Sequence, residues 1–66
     1  MVQRNSNVRA GTGKQYKVRG VLKKGTRITV LRVYESRTDS DVWFMFKYKG
    51  KTSYISGKNV SLPYAG

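Results

Sequence analysis

Apolar and polar residues alternate in short runs along this chain, and no stretch sustains a helical period. Glycines at 11, 13, 20, 25, 50, 57 and 66 interrupt it too often for an amphipathic helix. The residues between them include Val, Ile, Thr, Tyr, Phe and Trp, which suit strands. Short strands with frequent turn signals predict an all-β fold, a small barrel or sandwich. Five strands are expected. The first centres on Asn7-Val8-Arg9 and the second covers Lys17 to Leu22. Lys23-Lys24-Gly25 is a turn, with Gly25 free to take a positive φ. The third runs from Thr26 to about Tyr34 and the fourth from Trp43 to Tyr48. Lys49-Gly50 folds the fourth back onto the fifth, Thr52 to Ile55, as a tight hairpin. Ser56-Gly57-Lys58-Asn59 reads as one turn of 3₁₀-helix, and Val60 and Leu62 close the chain.

The alternation also assigns faces. Phe44 and Phe46 share one face of the fourth strand, and Trp43 and Met45 share the other. In the third strand Ile28 and Val30 share a face, but Leu31 and Val33 then fall on the face of Arg27. Two arrangements are open: a bulge near residues 30–32 that turns both apolar sets inward, or half-exposed Leu31 and Val33.

The charge changes the picture. Fourteen Lys and Arg face three acids, a net charge of +11 on 66 residues. All three acids, Glu35, Asp39 and Asp41, fall in the polar loop 35–42. Such a field is more than solubility needs and points to a polyanionic partner. The composition excludes more than it assigns. With no His and no Cys, the commonest general base, disulfides and Cys-based metal sites are all absent. The Ser and Thr hydroxyls have no activating His, so an enzyme is not expected. Asp39-Ser40-Asp41 lacks calcium-loop spacing, and Ala10-Gly11-Thr12-Gly13-Lys14 lacks phosphate-loop spacing, so no metal or cofactor is expected. The opening residues carry no signal-peptide apolar core, and the longest apolar run, Val42 to Phe46, is too short to span a membrane.

Three stretches, in this order and spacing, resemble the bacterial SH3 domain of the cell-wall type. They are Asn7-Val8-Arg9-Ala10-Gly11, the run from Tyr16 to Leu31, and Trp43 followed by Lys47 to Ile55. The resemblance implies a five-stranded SH3-like barrel over residues 7–62, with tails or linkers at 1–6 and 63–66. It implies a long first loop at 9–20, a second loop at 34–42, and a ligand groove between them floored by Trp43. There are departures. Ser53 stands where the family has Gly, and the second loop is longer than usual. The groove Pro and Tyr of eukaryotic SH3 domains are absent from Ser56-Gly57-Lys58-Asn59-Val60, which argues against Pro-rich ligands.

On this reading Trp43 is a groove residue, the alternative being a plain core residue. Tyr16, Tyr34 and Tyr54 are further groove candidates, and Glu35, Asp39 and Asp41 border the groove and could engage an amine. Arg9, Lys14, Arg27, Lys47, Lys49 and Lys51 carry the electrostatic field, Lys47, Lys49 and Lys51 with Arg27 near the hairpin tips. The resemblance implies a non-catalytic, monomeric module of a larger protein. That module would bind peptidoglycan or associated wall polyanions such as teichoic acids. It would hold a wall hydrolase of a Gram-positive bacterium or its phage at the extracellular wall. Two other functions fit the residues: a basic barrel binding nucleic acid, and a protein-interaction module.

Overall fold

The structure is a computed structural model and describes residues 1–35 and 42–61. It contains five strands: β1 (Ser6–Arg9), β2 (Val18–Leu22), β3 (Arg32–Glu35), β4 (Val42–Tyr48) and β5 (Lys51–Ser56). One 3₁₀ turn, Gly57–Asn59, follows β5. All pairings are antiparallel, in the order β2-β1-β5-β4-β3. The sheet coils into an SH3-like barrel that is left open between its edge strands, β2 and β3.

The period of two in the sequence builds the core directly. Phe44 and Phe46 of β4 stand opposite Ile55 and Ser53 of β5, and both pairs face inward. Val8 of β1 joins them fully buried. The β4–β5 hairpin turns at Lys49 and Gly50, with φ of 50° and 80°. Two positive φ values in a two-residue loop match the right-handed twist of the flanking strands. A side chain at Gly50 would add left-handed strain, so Gly50→Ala is expected to cost about 1–2 kcal/mol. A lowered urea midpoint with unchanged slope would register it. Gly25, at φ 91°, is the turn glycine expected between β2 and the next segment.

Ser53 shows how the departure from the family's glycine is accommodated. Its side chain is fully buried, and its hydroxyl donates to the Lys51 carbonyl at 3.1 Å. The polar group therefore enters the core already paired.

Two expectations need correction. Residues 1–6 are tied to the body by buried Val2 and Ser6 and by backbone hydrogen bonds, and do not form a free tail. Val2 is 1% exposed and bridges Val60. The Val2 amide donates to the Thr26 carbonyl, Gln3 to Asn59, and Gly25 to Val2. Val2 and Val60 thus close the end of the core that Val8, Phe44, Phe46 and Ile55 begin. The residues expected as a C-terminal tail lie outside the described residues.

The third strand is shorter than expected, and only Arg32–Glu35 joins the ladder. Residues 26–31 cross the open seam of the barrel. There Ile28 and Val30 pack against the core without strand pairing, although the Leu31 amide still donates to the Met45 carbonyl at 2.8 Å. Leu31 and Val33 are 49% and 56% exposed, so the half-exposed arrangement holds and no bulge turns them inward. An edge strand has no neighbour on its outer side to cover them.

Candidate functional site

The outward residues of β4 and its neighbours form an aromatic band. Tyr34 of β3 stands opposite Trp43, and Tyr54 of β5 stands opposite Met45. The Tyr34 and Tyr54 rings meet edge to face at 5.9 Å across the strand between them. The Tyr34 hydroxyl lies 3.9 Å from the Met45 sulfur. Arg9 of β1 is the register partner of Tyr54 and borders the same band. One side of the sheet therefore carries Trp43, Tyr34, Tyr54, Met45 and Arg9.

Trp43 is 2% exposed, yet it lies outside the apolar core cluster. Its indole Nε1–H is buried with no hydrogen-bond acceptor among the described residues. A buried donor without a partner costs roughly 1–3 kcal/mol, so its place here needs a reason. Trp43 forms part of the wall of a cleft of about 240 Å³ with Asn5, Asn7, Arg9, Lys14 and Asn59. Ser6 and Ser56 complete it. The lining is polar and carries two cations, the surroundings expected for an uncharged or anionic polar ligand.

Arg9 sets the shape of this cleft. Its Nη1 donates to the Lys14 carbonyl at 2.9 Å and to the Tyr16 carbonyl at 3.1 Å. The Ala10 amide donates to the Lys17 carbonyl at 2.9 Å, so the loop between β1 and β2 is tied at both ends. The Tyr16 ring lies on Gly11, where an added Cβ would fall 2.6 Å from it. Arg9→Ala is expected to cost ~1 kcal/mol, because both bonds are solvent-exposed. Hydrogen exchange should show loss of protection at Ala10, with β4 and β5 unchanged.

The expected residues do not all converge. Trp43, Arg9 and Lys14 meet in the cleft, and Tyr34 and Tyr54 continue its face. Tyr16 is 45% exposed and packs on the neighbouring loop. Glu35 pairs with Val42, in register with Val33 and Phe44, so alternation places it on the opposite side of β3 from Tyr34. Asp39 and Asp41 lie outside the described residues. Lys47 donates from Nζ to the Thr52 hydroxyl at 2.9 Å. Lys47 and Arg27 line another opening, about 410 Å³, at the seam of the barrel floored by Leu22, Ile28 and Phe46. Thr26, Thr29 and Tyr48 also line it, and it lies between the unpaired edges. Lys49 and Lys51 lie at the far end of the hairpin. Asn5, Asn7, Ser56 and Asn59 were not anticipated from the sequence. Only their recurrence as small polar residues beside strand ends could have signalled them.

No group of three or more acidic, His or Cys side chains suited to a metal occurs among the described residues. No helix is long and apolar enough to cross a membrane among them.

Residues 4–61 match the family model described as a bacterial SH3 domain. No match was found among curated proteins or among solved structures.

Proposed function

Since the chain belongs to the bacterial SH3 domain family, a cell-wall-binding type of domain whose members are generally non-catalytic, we propose that it is a peptidoglycan-binding module. Its ligand segment occupies the cleft at Trp43. The observation that carries this reading is the buried, unpaired Trp43 indole in the wall of a polar cleft on the aromatic face. A peptide or glycan carbonyl offers the acceptor that the indole lacks. Arg9 and Lys14 suit a carboxylate of a stem peptide, and Tyr34 and Tyr54 offer ring surface for a chain running along the sheet. Glu35 lies on the opposite side of β3 from Tyr34, so an amine-binding role for the acids would fall to Asp39 and Asp41.

The net charge of +11 adds attraction at long range. It makes the module suited to hold a wall hydrolase on its substrate, with charge setting encounter and the cleft setting specificity. The same charge also favours nucleic acid, which salt separates from the cleft reading. At ~0.5 M salt charges are screened beyond a few ångströms. Labelled domain is expected to pellet with purified Gram-positive sacculi at that salt and to release DNA. Domain left in the supernatant while DNA remains bound would reverse the assignment.

A further inference from the structure

A second concave site lies at the opposite end of β4 from Trp43, about 16 Å away at ~3.3 Å per strand residue. It is a cleft of about 240 Å³ lined by Lys17, Val18, Arg19, Tyr48, Lys49 and Lys51. Four of its six residues are cations, and it shares no residue with the Trp43 cleft. Two strands and a turn from separate parts of the chain bring these cations together. Arg19 comes from β2, Lys51 from β5, and Lys49 from the hairpin turn. Gly20 makes the approach possible, because an added Cβ there would collide with the Tyr48 hydroxyl. The Lys49 ammonium is held 5.4 Å from the centre of the Tyr48 ring.

Like charges gathered around one concavity repel unless an anion occupies it. We propose that this cleft binds a phosphodiester-linked polyol chain, the anionic polymer class of a bacterial wall. A run of phosphates spaced along a flexible chain matches several lysines better than a single carboxylate does. A nucleic acid fits less well, because bases need free aromatic faces to stack on. Tyr48, the one aromatic in the cleft, is already engaged: its ring meets Phe46 edge to face at 6.5 Å, carries Lys49 and abuts Gly20. The inference rests on the wall-binding reading only for the source of the polymer.

The test uses purified poly(glycerol phosphate), which contains neither peptide nor glycan, so failure of the Trp43 reading leaves its outcome untouched. The triple variant Lys17→Gln, Arg19→Gln, Lys49→Gln is compared with Arg4→Gln, Lys23→Gln, Lys24→Gln, which removes the same charge elsewhere. All six side chains are exposed, and circular dichroism checks that both variants fold. The cleft variant is expected to bind at least tenfold more weakly than wild type, with the salt slope lower by roughly 2. The control is expected to lose less than threefold. Equal losses in the two variants would show a diffuse field and overturn the site. Tighter binding of an oligothymidylate of matched charge would overturn the polymer class in favour of nucleic acid.

Discussion

Ile55→Ala is expected to remove a large share of the domain's stability at 25 °C. Ile55 is fully buried and stands opposite Phe44 at the centre of the core cluster. Removing a buried Ile side chain down to Ala costs about 2–5 kcal/mol, the upper values where the site does not collapse. Collapse is limited here, since Ile55 lies in a strand paired on both sides, by β1 and by β4. A chain of 66 residues has about 3–10 kcal/mol of stability in total. The core has few other members, and no cysteine reinforces it. Urea unfolding followed by tryptophan fluorescence measures the effect. A loss below ~1 kcal/mol would mean that β5 does not pack as described.

Trp43→Phe is expected to separate binding from folding. The substitution keeps a large apolar ring in the strand but removes the indole N–H and part of its volume. Lost packing destabilises, while removal of an unpaired buried donor relieves roughly 1–3 kcal/mol, so the thermal midpoint should move little. Retention on sacculi should fall at least tenfold, because the cleft loses both a donor and a wall. A plain core residue would behave differently: stability would fall and retention per folded molecule would hold. The position is informative because Trp43 faces away from Phe44 and Phe46, as strand alternation anticipates.

Local pattern carried much of the fold. The β4–β5 hairpin and its Lys49-Gly50 turn, the Gly25 turn and the 3₁₀ turn after Ser56 all lie where residue type alone placed them. Each depends on neighbours in the chain. Features that depend on distant partners were not legible. Val2 sits in a polar opening run, and only its bridge to Val60 makes it core. Thr26 to Leu31 has strand-forming residues, yet strand pairing needs a partner edge, and across the open seam there is none. The cleft at Trp43 gathers Asn5, Asn7, Ser56 and Asn59 from opposite ends of the chain, so spacing could not announce it. The face of Trp43, opposite to that of Phe44 and Phe46, was legible from its phase. The role of Arg9 was legible only as charge, whereas the structure shows a guanidinium that pins the loop beside the cleft.

The charge pattern divides accordingly. Arg9 and Lys14 belong to the cleft at Trp43, and Lys17, Arg19, Lys49 and Lys51 gather at the far end of the sheet. Basic side chains therefore gather at two places with different linings, and the proposed function assigns specificity to the polar cleft.

The central claim, that the wall ligand enters the cleft at Trp43, has a direct reporter. The chain has a single Trp, so its indole N–H gives one isolated nitrogen-proton resonance. Titration of ¹⁵N-labelled domain with soluble peptidoglycan fragments should shift that resonance downfield, as an unpaired donor gains an acceptor. The amides of Asn7, Ser56 and Asn59 should shift with it at the same ligand concentrations. Saturable binding that leaves the indole resonance unmoved and perturbs only residues away from the cleft would contradict the account.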